Sequence, residues 1–215
     1  MERGYKRSEL LIATNNPGKF LEYRDLLKGL AWKLVSLGER GIAEADLETG
    51  SSFEENATLK AQGYASMSGL TTLADDSGLI VDALGGRPGT YSARYGGRTT
   101  DQERIELLLS ELQCVPWENR AARFRCVIAV NSDLKGGSDV TLCSGECPGI
   151  ICLEPRGGNG FGYDQVFYLP GLGKTMAELT FEEKNRVSHR AVAAQGVRPR
   201  LEELFRRKIG NDRAL

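Results

Sequence analysis

The sequence predicts an α/β fold built around a mixed sheet, and three observations carry that prediction. Short apolar runs with strand character alternate, irregularly, with segments of helical spacing. Three of the helical segments open on capping boxes, Ser52-x-x-Glu55, Thr100-x-x-Glu103 and Thr180-x-x-Glu183. The second half turns to β, with runs separated by Gly, Pro, Asn and Asp in the manner of an antiparallel meander. Strict βαβ alternation is absent, which favours a mixed sheet over an all-parallel one.

In chain order, Glu9–Thr14 reads as a buried strand. Asn16-Pro17 then starts a helix, with Asn as cap and Pro at the first helical position, where its missing N–H costs nothing. Phe20, Tyr23, Leu27 and Leu30 recur at helical spacing up to about Gly29. Trp32–Leu37 reads as a second strand. The helix opened by Ser52 buries Phe53, Ala57, Ala61, Tyr64 and Ala65 and stops near Gly69. Thr71–Ala74 and Leu79–Ala83 read as strands on either side of an Asp75-Asp76-Ser77-Gly78 reversal. The helix opened by Thr100 turns Ile105, Leu108, Leu109 and Leu112 inward. Strands are expected at Arg123–Asn131, Asp139–Gly145, Ile150–Leu153 and Gln165–Tyr168. A short helix follows Thr180, and Ser188 caps the last one, with Pro199 expected to kink or restart it near Gly196.

Length and composition narrow the function classes. A chain of 215 residues can bury a sizeable core in one domain. With 28 basic against 29 acidic residues there is no global field to draw in nucleic acid polymer or a membrane surface, so an anion site has to be built locally. Five cysteines with no C-x-x-C pair read as reduced thiols in a cytoplasmic protein, and the Cys143, Cys147, Cys152 spacing fits no usual zinc pattern. The first apolar run is about five residues, short of a signal-peptide core, and no segment approaches the ~18 apolar residues of a membrane span.

Four stretches hold candidate chemistry. Thr14, Asn15, Asn16 and Lys19 cluster at a strand–turn–helix junction, where outward N–H groups, the helix dipole and a lysine suit an anion; an ordinary capped helix is the alternative. Asp75 and Asp76 are either turn residues or hard-cation ligands, since Mg²⁺ is held by one or two carboxylates plus substrate phosphates. The glycine-rich Arg156–Gly162 loop lets backbone approach a ligand and presents Phe161 as a flat surface; a plain hairpin connection is the alternative. His189 and Arg190 occupy the first turn of the last helix, where two donors suit a carbonyl or an anion.

Five separated stretches, in order, resemble the non-canonical purine nucleoside triphosphate pyrophosphatases, also called inosine triphosphatases. They are TNNPGK at Thr14–Lys19, ETGSSFEENATLKA at Glu48–Ala61, LADDSGLIVDALGGRPGTYSARY at Leu73–Tyr95, GGNGFGYD at Gly157–Asp164 and KTMAELTFEEKNRVSHR at Lys174–Arg190. The resemblance implies an elongated two-lobed α/β domain around a mixed sheet with flanking helices, a homodimer, and an active site in the cleft between lobes. On this numbering it implies an extension at 1–8, the domain at 9–208 and a tail at 209–215. It implies Mg²⁺-dependent hydrolysis of ITP, dITP and XTP to monophosphate and pyrophosphate, which clears deaminated purines from the nucleotide pool.

Residue by residue, the resemblance assigns the triphosphate to Thr14, Asn15, Asn16, Pro17, Gly18 and Lys19. It assigns the metal to Glu48 and Asp76, with Asp75 in support, and the proton acceptor to Asp76. Ser77 touches the substrate, and Phe161, Gly162, Tyr163, Asp164, Lys184, His189 and Arg190 enclose the base. Gln165 departs from the family's usual Pro, with little effect expected, and Pro199 is atypical. Three competing readings exist: a pyrimidine-directed relative, a Ser77–His189–Asp hydrolase, for which the G-x-S-x-G elbow is missing, and a nucleotide-binding module without catalysis.

Overall fold

The structure is a computed structural model that describes residues 8–43, 45–132 and 139–212, side chains being described through residue 210. Seven strands form one mixed sheet. They are β1 (Glu9–Ile12), β2 (Lys33–Ser36), β3 (Thr71–Val81), β4 (Ala121–Asn131), β5 (Val140–Ile151), β6 (Phe167–Leu169) and β7 (Lys174–Thr175). Their order across the sheet is β2-β1-β3-β4-β5-β6-β7. Strand β1 is parallel to β2 and β3, whereas β6 is antiparallel to β5 and β7. The described residues also form five α-helices, α1 (Pro17–Leu26), α2 (Phe53–Ser68), α3 (Asp101–Glu111), α4 (Phe181–Val187) and α5 (His189–Asp212), besides short 3-10 turns. The proposed extension at 1–8 lies almost wholly outside the described residues, as does the end of the 209–215 tail.

The chain divides into two compact units. One comprises residues 1–76, 127–143 and 193–215, the other residues 77–126 and 144–192. In the first, Leu10, Leu11 and Ile12 of β1 and Leu73 of β3 are buried, as are Ala57, Ala61, Tyr64 and Ala65 of α2. Trp32 donates its indole N–H to the Leu201 carbonyl at 2.8 Å and meets Phe205 edge-on, which ties α5 to this core. The second unit is built on Leu79, Val81, Ile105, Leu108, Leu112, Phe124, Ile151, Tyr163 and Phe167, among others. There the buried Arg120 donates to the carbonyls of Leu112 and Val115, just past the end of α3, at 2.6 and 2.9 Å, and to that of Cys152, just past β5, at 3.0 Å.

Three of the expected breaks are absent. Asp75-Asp76-Ser77-Gly78 is no reversal: β3 runs through it without interruption. Leu73, Leu79 and Val81 are fully buried, and the carboxylates find partners described below, so the strand keeps its polar residues without turning. The chain turns later, where Gly85 and Gly86 adopt positive φ of 64° and 90° and Pro88 bridges back to Ile80. Likewise the strands expected at Asp139–Gly145 and Ile150–Leu153 merge into one long strand, β5, which starts at Val140 and ends at Ile151. Pro148 is exposed and precedes the pairing with β6, which begins at Ile150. Gly149 is needed because a Cβ there would lie 2.6 Å from the Phe167 ring and the Tyr168 carbonyl. The segment at Gln165 is a 3-10 turn, Asp164–Val166, with β6 starting at Phe167. Helix α5 runs continuously through Pro199, with no restart at Gly196.

Candidate active site

In the first unit, local sequence builds a strand–turn–helix corner. Asn16 caps α1, its side chain accepting the Lys19 N–H at 3.1 Å, while its own N–H goes to Thr14 Oγ1 at 3.2 Å. Pro17 takes the first helical position. Asn15 and Pro17 are exposed, and Thr14, Asn16, Gly18 and Lys19 are half-buried, so the corner faces outward with its lysine. Lys19 Nζ then reaches Asp75 Oδ2 at 2.9 Å. Asp75 is thereby tied to the lysine of this corner. Its neighbour Asp76 is engaged elsewhere, as alternation along a strand requires.

Asp76 Oδ2 accepts from Asn56 Nδ2 at 3.0 Å, and Oδ1 lies 4.0 Å from Lys60 Nζ. The same Lys60 nitrogen donates to Glu48 Oε1 at 2.6 Å. Two carboxylates from separate elements therefore converge on one ammonium. Burial works against the charge on Lys60, yet Asp75, Glu48 and Asp76 outweigh it and hold its pKa above the ordinary lysine value. Burial pushes the Asp76 carboxyl up, against the pull of Lys60 and the Asn56 hydrogen bond. Neither Asn56 nor Lys60 was singled out by motif. Their signal was present in the helical pattern: two polar residues four apart, beside the buried Ala57 and Ala61 stripe.

Among the described residues no group of three or more His, Cys, Asp or Glu side chains is disposed to hold a metal ion. Mg²⁺ does not require one, because it takes one or two carboxylates and completes its shell with water and phosphate oxygens. Glu48 and Asp76, both directed at a single cation, fit that demand.

The second unit holds the other cluster. Lys184 Nζ pairs with Asp164 Oδ2 at 2.5 Å, both side chains nearly inaccessible. Asp164 Oδ2 also accepts the Phe161 N–H at 3.0 Å, so one carboxylate organises the glycine loop and the lysine together. Phe161 lies with Lys184 Nζ 4.5 Å and Arg190 Cζ 5.8 Å from its ring centroid, two cations on one aromatic surface. Arg190 is fully buried and donates to Ser77 Oγ at 3.1 Å. A guanidinium has no basic lone pair to activate that hydroxyl, which argues against Ser77 as a nucleophile. His189 stacks on Phe124 at 4.8 Å. Tyr163 donates its hydroxyl to the Ser92 carbonyl at 2.9 Å, and Ser92 Oγ accepts the Leu79 N–H at 2.9 Å. The YSARY segment thus secures the loop to β3 within this unit. Gly162 N–H is bound by Asp101 Oδ2 at 2.6 Å.

The five cysteines are all free thiols, and no helix among the described residues is long and apolar enough to cross a membrane.

Comparison with known proteins identifies the frame. The dITP/XTP pyrophosphatase of Bacillus subtilis (strain 168) is 48% identical over 195 residues, covering 90% of this chain and 97% of that protein. The dITP/XTP pyrophosphatase of Yersinia pseudotuberculosis serotype I is 50% identical over 188 residues, covering 86% and 93%. Among solved structures, a HAM1 protein from Coxiella burnetii superposes with a TM-score of 0.82 at 42% identity, over 91% of this chain and 99% of that one. The Staphylococcus aureus Ham1 protein gives 0.80 at 40% identity, with 91% and 99% coverage. Fold and relatives together define a hydrolase of the nucleoside triphosphate pyrophosphatase class. The chain belongs to the Ham1 family, whose model matches residues 10–200.

Proposed function

We propose that this protein hydrolyses non-canonical purine nucleoside triphosphates (ITP, dITP and XTP) to the monophosphate and pyrophosphate with Mg²⁺. The observation that carries the reading is the convergence of Glu48 and Asp76 on Lys60 within the same unit as the Lys19 corner. Carboxylates for a hard cation and basic groups for phosphate are the two requirements of a Mg²⁺-polyphosphate. The names of the relatives, which specify dITP and XTP, support the substrate class.

The partly exposed corner at Thr14–Lys19 and the Lys19 ammonium take the triphosphate, which releases Asp75 from its present pairing with Lys19. Lys60 supplies a second positive charge beside Asp76. Asn56 holds one Asp76 oxygen by hydrogen bonding, and the carboxylate accepts the proton of the attacking water. Its raised affinity for protons makes it a better base than an exposed carboxylate. Mg²⁺, held by Glu48 and Asp76, would neutralise phosphate charge and make that water more acidic.

Phe161 offers a stacking face worth ~1–3 kcal/mol to any base, so selection falls to hydrogen bonds. Donors on Lys184, His189 and Arg190 match the 6-oxo acceptor of hypoxanthine and xanthine and oppose the 6-amine of adenine. A site built on buried hydrogen bonds can discriminate by ~10⁴ or more. Rejection of guanine, which shares the 6-oxo group, falls to the 2-amino position. Homodimer assembly and a cytoplasmic setting belong to the same reading.

The test is a panel of nucleoside triphosphates with Mg²⁺, scored for pyrophosphate and for orthophosphate. Pyrophosphate from ITP, dITP and XTP at far higher kcat/KM than from ATP or GTP is expected. Orthophosphate as the primary product, or equal use of all purines, would sink the proposal.

A further inference from the structure

The contact between α3 and the glycine loop has no part in the chemistry described so far. Asp101 is the first residue of α3, and both its carboxylate oxygens are engaged. Oδ2 accepts the Gly162 N–H at 2.6 Å, and Oδ1 pairs with the Arg104 guanidinium one turn along the helix. Arg104 also donates to the Arg98 carbonyl at 3.1 Å, and the Thr100–Glu103 capping box fixes the helix start beneath it. Asp101 is therefore held locally by Arg104, itself fixed on the Arg98 carbonyl, at a helix start that the capping box sets. Its hydrogen bond to Gly162 is the long-range product of that preparation.

Gly162 stands between Phe161 and Tyr163. A cavity of about 210 Å³ lies between this loop and the start of α3, bordered by Gln102 and Ile105 on the helix side and by Gly158 and Gly160 on the loop side. Packing thus does little to fix the loop from that direction. Tyr163 anchors one end through Ser92 and Asp164 anchors the Phe161 N–H, but the peptide between them is oriented by Asp101. The Asp101 side chain is 45% exposed, so it contributes little to the core and its effect is concentrated on loop placement.

We propose that Asp101 is a positioning residue for purine selection, acting through the Gly162 backbone to keep Phe161 over Lys184 and Arg190. The proposal rests on the substrate reading above. It does not require Asp101 to touch the substrate.

The experiment compares full-length wild type, Asp101→Ala and Asp101→Asn, each with Mg²⁺, on ITP and ATP. The Ala variant should raise KM for ITP roughly tenfold, the scale of one hydrogen bond to a charged group, with kcat within about twofold. Its ITP-to-ATP ratio of kcat/KM should fall by a similar factor. The Asn variant keeps an oxygen able to accept the Gly162 N–H and should recover most of both. In ligand-free protein, amide hydrogen exchange across residues 157–164 should accelerate in the Ala variant and stay near wild type in the Asn variant. Unchanged KM, ratio and exchange in Asp101→Ala, whatever its Tm, would overturn the proposal. So would an Asn variant as impaired as Ala. A wild type without purine preference would overturn the substrate reading and the selection role together, whereas failure of the variants alone overturns only the role of Asp101.

Discussion

Asp75 and Asp76 are neighbours with identical chemistry and different surroundings. Asp75 faces Lys19; Asp76 faces Asn56 and Lys60. Burial raises the Asp76 pKa above its unfolded value, and the sign of the consequence follows. Between the two values the native state binds more protons than the unfolded one, so stability falls as pH rises through that window. On the alkaline side of that window the metal-free protein carries this cost. Asp76→Asn is accordingly expected to abolish pyrophosphate release while leaving Tm at pH 7 in EDTA no lower than wild type. Residual turnover near wild type would remove Asp76 as the base; a Tm lower by several degrees would show that its pairing with Lys60 and Asn56 outweighs burial. At this scale the sequence was legible wherever a residue belonged to a recognisable motif. Lys60 was not, because a lysine on a helix ordinarily reads as a solvated face, and only the fold shows Glu48 and Asp76 brought to it.

Capping chemistry decided most of the elements correctly. Thr100 and Thr180 form full capping boxes, and Ser52 caps α2, with Glu55 reaching back to the N–H and hydroxyl of Ser51 as well as towards the Ser52 backbone. Ser188 has the most consequential cap. It is fully buried, accepts the Ala191 N–H at 3.2 Å, and immediately precedes His189 and Arg190. Ser188→Ala should cost about 1 kcal/mol of stability and also reduce kcat/KM for ITP, since the first turn of α5 carries both donors. Thermal unfolding and kinetics on one preparation check this; a stability loss with kinetics intact would confine Ser188 to scaffolding. The failures at this scale share a cause. Asp, Ser and Gly at residues 75–78, and Pro-Gly at 148–149, were read by their local turn preference, but ladder pairing and burial of Leu79, Val81 and Ile151 override it.

For the molecule as a whole, the mixed sheet was legible from irregular alternation of strand and helix, while strand continuity was not. Strands β3, β4 and β5 each carry residues of both compact units, so the division of the chain cuts through elements and leaves no linker composition to read. Helix α5 spans the same division and retains Pro199 in its interior, where the Gln195 carbonyl loses its usual donor. Contacts from Trp32 to Leu201 and from Arg198 to the Leu26 carbonyl hold the helix on either side of it. Pro199→Ala should therefore stabilise the protein by up to about 3 kcal/mol, read as a rise of ~2–4 °C in Tm per kcal/mol. An unchanged or lower Tm would mean that proline's restriction of the unfolded chain matters more than the missing bond.

Chelation should silence the enzyme and leave it folded, with Tm displaced by less than about 4 °C; unfolding in EDTA would contradict this. The reason is Lys60, an internal counter-ion that already answers Glu48 and Asp76. On the Mg²⁺-dependent reading proposed above, a chain with such a counter-ion would keep its fold while the metal is absent, and resupply would restore activity without a refolding step.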